Sequence, residues 1–516
     1  MYITQCLHRM IQRAPDRIAT IDGGRRHAWS ELGDCVSCFA WAMRRLGLQP
    51  GDRVAMLSRN GDHFLEYILG TLWAGGVINP VNLRWTAQEM GYSLADCDTR
   101  ILILEPAFEA LVPAILDAAP GLTHILSTGA PLTSGVVPRD EWIAGAEAMP
   151  DALRRGDDLA AILYTGGTTG RPKGVMLSHT NLVSSALGSL AHPGCAPGEL
   201  FLHSAPLFHI GALSGLLISL FAGSTCAFIP AFEPLAMLEA IEAHRVTDVF
   251  FVPTMLRMII DHPRFADFDT RSVKRIRYGA APMDDNLLDR AIGAFPYATF
   301  TQAYGMTELS PTCTILGPED HGGEARAQGR GRSAGRATIV CEVRVVGLDD
   351  EELSRGEVGE IVARGPTVMQ GYWNKPEATA EATRGGWMHT GDMGRMDEAG
   401  YVTVVDRLKD MIITGGENVY SAEVENVVAT HPCVAAVAVI ALPDERWGER
   451  VHAVIVPRPG HAADGASVEA HCRAGLAGYM IPRSIEFVDA LPLSGAGKVL
   501  KTELRRERVA EKDGRL

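Results

Sequence analysis

Strand patterns alternate with helix patterns from early in this chain, and no other feature restricts its fold as tightly. RVAMLSRN (53–60) reads as a strand, HFLEYILGTLWAGG (63–76) as an amphipathic helix closed by glycine, and VINPVN (77–82) as a second strand. RILILEP (100–106) followed by an apolar helix around Phe108 to Ala118 repeats the unit. Strands joined through helices pair in parallel, so this order predicts a mostly parallel sheet with helices on both faces. A second run of the same kind is expected from Leu159 to about Phe300, with strands at AAILYT, STCAFIP, VTDVFFVP and RIRYGA.

The texture changes at Gly335. AGRATIVCEVRVVG, GEIVARGP and GYVTVVDR are short β-rich runs divided by Gly and Asp turns, the pattern of an antiparallel sheet or a small barrel. The last hundred or so residues read helix, two strands, helix, strand, a compact α+β unit. A chain of 516 residues exceeds what one hydrophobic core organises. The charged DRLKDM (406–411) reads as the joint, giving expected domains at 1–408 and 409–516.

Apolar residues at 47% and charged residues at 21% belong to a folded protein, not a disordered one. The 48 Lys and Arg against 62 Asp and Glu leave a formal charge of −14, which argues against a general nucleic-acid surface but not against a local basic pocket. Ten scattered cysteines lack the density of a disulfide framework, and MYITQCLHRMIQRAPDR lacks the apolar run of a secretory signal, so a cytoplasmic setting is expected. Cys35 and Cys38 form a CxxC without a second ligand pair; the helical spacing of Leu32, Cys35, Cys38/Phe39 and Met43 predicts buried helix packing instead. Between Glu199 and Glu233 there is no charged residue, yet His203, Pro206, His209 and Pro230 interrupt it and its apolar run is shorter than the ~20 residues of a spanning helix. A buried helix is expected, one that could wall an oily substrate channel.

YTGGTTGRPKG (164–174) sits between the strand AAILYT and the apolar strand GVMLS, with a helix expected from about Thr180. Its glycines let consecutive backbone N–H groups converge on an anion, its threonines add hydroxyl donors, and Lys173 adds the compensating charge. A flexible surface turn is the other reading. A Walker loop is not, because Lys173 precedes Gly174 where that pattern needs Ser or Thr.

The string resembles the phosphate-binding signature of adenylate-forming enzymes, the superfamily of acyl-CoA synthetases, luciferases and peptide-synthetase adenylation domains, with Gly166 where that family usually has Ser. YGAAPM (278–283), QAYGMTE (302–308), TGD (390–392), DRLKDMIITGGENVYSAEVE (406–425) and SGAGKVLK (494–501) follow in the family's order over nearly the whole chain. The resemblance implies an α/β fold: a large N-terminal domain of two αβ sandwich sheets plus a small β-barrel, and a smaller mobile C-terminal α+β domain.

It further implies that Thr165, Gly166, Gly167, Thr168, Thr169, Gly170 and Lys173 cradle the ATP phosphates. Gly279, Ala280, Ala281 and Pro282 would edge the adenine, Tyr304 would stack on it, and Gln302, Gly305 and Met306 would complete the nucleotide contacts. Thr307 would contact phosphate, Glu308 would hold Mg²⁺, and Asp392 with Arg407 would clamp the ribose. Lys498 would offset the negative charge that gathers as a carboxylate reaches the α-phosphate. Lys409 matches the hinge about which the small domain rotates, bringing Gly415, Gly416 and Glu417 to a pantetheine tunnel for CoA, although the two glycines read equally as a turn.

His209 matches the position beside the reacting carboxylate, with Leu213, Gly279, Ala303 and Gly305 around the acid. Phe208, Ile210, Leu213, Gly215 and Leu216 make a greasy surround, and the charge-free span offers no Asp for an α-amine. With no carrier-protein pattern after the small unit, the expected reaction is AMP-forming ligation of a hydrophobic fatty or aryl acid to free CoA. The alternatives are a same-fold enzyme loading another thiol acceptor and a catalytically inactive nucleotide-binding regulator. EARAQGRGRSAGR (324–336) reads either as a solvated loop or as a patch for anionic lipid or CoA phosphates. Expected partners are the acid, ATP and CoA, without nucleic acid; a peripheral membrane contact and a monomer or homodimer stay open.

Overall fold

Val54, Ala55, Met56 and Leu57 are all buried, the signature of a strand covered on both faces. The strand Arg53–Leu57 accordingly pairs in parallel with Val77–Pro80 on one side and Ile101–Leu104 on the other, and His124–Ser127 extends that edge. The computed structural model describes residues 1–166, 171–194, 199–461, 464–492 and 499–512, the last three by backbone alone. Leu159–Thr165, expected to open the second run, instead joins this first sheet beside Val77–Pro80, in the register Ile78↔Ala161. It then turns back antiparallel onto Lys173–Ser178, and the two-residue strand Gly371–Tyr372 completes a seven-stranded sheet among the described residues.

The second sheet has nine described strands. Its parallel centre runs Thr299–Gly305, Arg275–Gly279, Asp248–Phe251, Leu200–His203, Thr225–Phe228 and Ile18–Asp22. Antiparallel strands close both edges, Thr312–Leu316 with Arg336–Ala337 on one and Arg25–Ala28 on the other.

The charge-free segment forms the 13-residue helix Ile210–Ala222, buried from Ala212 to Phe221 and ended by Gly223 at φ +78°. Among the described residues no helix is long and apolar enough to cross a membrane. The helix lies hard against the sheet: a Cβ at Gly211 would stand 3.6 Å from Cζ of Phe250, and one at Gly215 3.6 Å from Cζ of Phe201. Helix Trp29–Arg45 buries Leu32, Val36, Phe39 and Met43, but Cys35 and Cys38 are only half-buried. At 100° per residue they flank the apolar stripe instead of lying on it, which corrects the expectation of buried packing for the cysteines themselves.

The β-rich stretch forms a four-stranded sheet of Glu342–Val346, Gly359–Arg364, Met388–Met396 and Val402–Arg407. Beyond it, Val434–Asp444 and Gly448–Pro457 make a long antiparallel hairpin, joined in parallel by Ser484–Phe487 and covered by helices Ser421–Ala429 and Gly465–Gly475. By packing, the chain divides into one unit of Met1–Val343 with Ala363–Met388 and another of Arg344–Val362 with His389–Leu516. Most of the four-stranded sheet therefore groups with the carboxy-terminal part. The architecture is the expected mixed α/β fold with a large amino-terminal part and a smaller α+β part.

Candidate active site

In the first unit the glycine-rich string is the tip of the hairpin between Leu159–Thr165 and Lys173–Ser178, with Thr165 opposite Lys173. Gly167, Thr168, Thr169 and Gly170 lie outside the described residues; around Gly166 a Cβ would meet nothing within 4 Å. The Lys173 ammonium stands 4.8 Å from the centre of the Tyr372 ring, a cation–π contact. The Tyr372 hydroxyl in turn donates to Oε1 of Glu308 at 2.8 Å. Both residues are buried, and burial together with the Glu308 charge pushes the Tyr372 phenol above its ordinary range, so it stays a donor. Tyr372 gets there because Gly371 and Tyr372 pair with Met176 and Val175 at the outer edge of the hairpin. Backbone adds a second tie, Met369 N–H to the Glu308 carbonyl at 2.9 Å.

Tyr372 was not legible in the sequence. It lies 64 residues from its partner carboxylate, and nothing local marks it. The Glu308 carboxylate and the Tyr372 hydroxyl put oxygen donors side by side, and oxygen is the donor type that suits Mg²⁺.

Gly279 to Pro282 and Gln302 to Thr307 come together at the carboxyl ends of two adjacent strands, in the register Tyr278↔Gln302 and Gly279↔Ala303. That is where open α/β sheets bind ligands. The glycines there are obligatory. A Cβ at Gly279 would stand 2.4 Å from the Ala303 carbonyl oxygen, and one at Gly305, whose φ is +154°, 1.8 Å from that of Pro311. Ala280 and Pro282 are exposed, while Ala281, Gln302, Ala303, Tyr304, Gly305, Met306 and Thr307 are half-buried, so the strand ends present an accessible rim.

His209 is the residue capping helix Ile210–Ala222, its ring 4.4 Å from that of Phe208 and its carbonyl accepting from Leu213 N–H at 3.0 Å. It is half-buried, as are Ile210 and Gly211, whereas Leu213 is buried within the core. The start of that helix therefore faces accessible space, while Ala212 to Phe221 are buried.

In the second unit Asp392 stands opposite Arg407 on neighbouring strands, with Arg407 Nε 3.3 Å from Asp392 Oδ1. Asp392 N–H donates to Thr390 Oγ1 at 3.1 Å, which fixes the carboxylate's base while Arg407 stays half-exposed. Burial, then the neighbouring Arg407 charge, lower the Lys409 ammonium from its ordinary value. Asp406 accepts from Arg407 N–H at 2.7 Å and from both the N–H and hydroxyl of Ser421, tying the segment to the start of helix Ser421–Ala429. Gly415 and Gly416, at φ +63° and +87°, are the two-residue turn joining Ile412–Thr414 to Glu417–Val419, and Glu417 is exposed. Lys498 lies outside the described residues.

The arginine-rich stretch is held by acidic neighbours. Arg332 pairs with Asp285 at 2.7 Å, Arg326 pairs with Asp289, and Arg330 comes within 3.9 Å of Asp320.

Comparisons with known proteins agree with these geometries. The sequence model of the family described as AMP-binding enzyme matches residues 7–373, and that of the AMP-binding enzyme C-terminal domain matches residues 423–498. A feruloyl-CoA synthase from an Amycolatopsis species is 42% identical over 96% of this chain and 97% of its own length. The long-chain-fatty-acid–CoA ligase FadD13 of Mycobacterium tuberculosis is 34% identical over 93% of each. The crystal structure of ATP-bound MatB from Rhodopseudomonas palustris superposes with a TM-score of 0.89 at 32% identity, covering 99% of both chains.

Proposed function

The chain belongs to the AMP-binding enzyme family, acid–thiol ligases, and from that premise we propose that it joins a hydrophobic carboxylic acid, aryl or aliphatic, to CoA through an acyl adenylate. The observation that carries this reading is the Lys173–Tyr372–Glu308 relay at the base of the glycine-rich hairpin. One contact chain through the buried Tyr372 links a half-buried cation suited to phosphate with a carboxylate suited to a divalent cation, and a nucleotide triphosphate calls for both.

The mechanism follows from what each residue can do. The hairpin amides and Lys173 hold the β- and γ-phosphates, and Thr307 donates to phosphate. The strand-end backbone from Gly279 to Pro282 borders the adenine and Tyr304 covers its face. Glu308, steadied by the Tyr372 hydroxyl, would hold Mg²⁺, and the ion would supply neutralisation of phosphate charge. Asp392 accepts from the ribose hydroxyls and Arg407 donates to them.

A carboxylate oxygen of the acid attacks the α-phosphorus, forming the acyl–phosphate bond as the bond to pyrophosphate breaks. Lys498 offsets the charge that gathers there, and His209 lines the carboxylate's approach. The CoA thiol then loses its proton to solvent, attacks the acyl carbon and releases AMP. We place the division between the adenylating and the rotating domain at 408/409, with Lys409 as the pivot and the Gly415–Glu417 turn serving the thiol half-reaction.

The test is pyrophosphate release by the purified full chain across a panel of short-chain, long-chain and aryl acids, with AMP and thioester measured on adding CoA. Release that needs both an acid and ATP, with CoA consumed stoichiometrically, is expected. A chain that binds MgATP yet releases no pyrophosphate with any acid would be the inactive regulator instead.

A further inference from the structure

A lysine stands at the first position of helix Lys501–Lys512. A cation there faces the positive end of the helix dipole, so helix stability gives no reason for it. Its contacts do. The Lys501 ammonium donates to Ser421 Oγ at 2.7 Å and pairs with Glu425 Oε1 at 2.7 Å, two acceptors one turn apart on helix Ser421–Ala429. Both acceptors are themselves fixed. Glu425 Oε1 also accepts from Val439 N–H at 2.7 Å, in the long hairpin, and the Ser421 hydroxyl donates to Asp406 Oδ1 at 3.1 Å.

Further along the helix Arg505 pairs with Glu449 at 2.7 Å, and Arg508 reaches both oxygens of Glu486 at 2.7 and 2.8 Å. Positions 501, 505 and 508 share one helix face, so three ion pairs fasten the helix along its length, with Leu504 buried among them. The pairs differ in their surroundings. The Lys501 side chain is 17% exposed and that of Arg505 43%, so water screens the second pair far more than the first.

Lys501 also stands where the chain returns from residues 493–499. Leu500 N–H donates to the Pro492 carbonyl at 2.9 Å, which brings the two ends of that segment together, and Lys501 is the next residue. Lys498 precedes it by three residues, and three residues of chain reach at most about 11 Å. A long ammonium side chain is aimed at a reaction centre only if the backbone beneath it has a fixed point, and a misplacement of about 1 Å costs on the order of a hundredfold in rate. We propose that Lys501 is a positioning residue for the adenylation step: its ammonium, straddling Ser421 and Glu425, anchors the backbone that carries Lys498 and touches no substrate itself. Arg505 and Arg508 hold the helix one and two turns further from Lys498 and do not share this task.

This inference rests on the ligase reading and on Lys498 serving the step at phosphorus, and its test keeps the three apart. Acid-dependent ATP–pyrophosphate exchange is measured with the fastest acid of the short-chain, long-chain and aryl panel, and thioester formation with the acyl adenylate of that acid and CoA. Both are read on the same preparations of the full chain, as wild type, Lys501→Met, Lys501→Arg and Arg505→Met. Because Lys501→Met strands the Glu425 carboxylate, the neutral pair Lys501→Met with Glu425→Gln is measured beside it. In Lys501→Met and in the neutral pair, kcat for exchange should fall tenfold or more, with KM for ATP and the rate of thioester formation within threefold of the wild type. Lys501→Arg keeps the charge and the reach and should recover exchange to within threefold, and Arg505→Met should stay within twofold in both half-reactions. Exchange unchanged in the neutral pair, equal loss in both half-reactions, or a loss in Arg505→Met as large as in Lys501→Met would each overturn the proposal. Undiminished exchange in Lys498→Ala overturns the role of Lys498 and the anchor with it, and absence of exchange in the wild type with every acid overturns the ligase reading itself.

Discussion

His203 lies between the rings of Phe201 and Phe228, with centroids 4.7 and 5.4 Å away, and the described residues offer its Nε2 no hydrogen-bond partner. Burial alone lowers its pKa from 6.5 to about 3. The sign follows directly. Between those values the unfolded chain binds the proton and the folded chain does not, so stability falls as pH drops below 6.5 and goes on falling toward 3. At pH 5 the loss from this residue is about 2 kcal/mol. His203→Phe should remove that share of the acid sensitivity, seen as a shallower fall of the urea midpoint between pH 7 and pH 5; an unchanged slope would contradict the assignment. Tyr372 has a different consequence. Removing the hydroxyl that steadies Glu308 costs a charge-assisted hydrogen bond, so Tyr372→Phe should raise the Mg²⁺ concentration for half-maximal activity by roughly tenfold or more. A magnesium titration identical to that of the wild type would remove Tyr372 from the site.

Helix His179–Ala191 joins local signals to the site. Ser178 Oγ accepts from Asn181 N–H at 3.1 Å and Asn181 Oδ1 accepts from Ser178 N–H at 2.8 Å, a reciprocal cap. The Asn181 amide then donates to the carbonyls of Pro366 and Val368, both at 2.8 Å, one residue before the Met369 N–H that ties Glu308. Ser178→Ala should therefore cost only about 1 kcal/mol, while Asn181→Ala should cost about 2–4 kcal/mol and weaken magnesium dependence as well. Equal losses in urea unfolding would show that the Pro366 and Val368 bonds carry nothing.

The cap and the strand–helix rhythm are legible because their signals lie within a few residues. Pairings such as Thr20↔Cys226 and Tyr372↔Val175 are not, since they rest on contacts some two hundred residues apart.

At the scale of the whole molecule, the motifs that name the chemistry stand in chain order, but the way segments assort does not follow that order. Residues 344–362 group with the carboxy-terminal unit because their strand pairs with Met388–Met396, and no composition change marks that assortment. The same separation divides the chemistry. Tyr304, Glu308 and the hairpin lysine belong to the first unit, whereas Asp392 and Arg407 belong to the second. A cation that serves only the step at phosphorus is dispensable once the adenylate exists, since thiol attack on an acyl carbon places no new charge on the α-phosphate until AMP leaves. Lys498→Ala should thus depress acid-dependent ATP–pyrophosphate exchange by roughly a hundredfold or more, in keeping with the loss of an aimed charge-stabilising group. Thioester formation from a supplied acyl adenylate and CoA should stay within about threefold of the wild type. Measured side by side on one preparation, equal loss in both half-reactions would show that Lys498 supports the fold of its unit and not the adenylation step.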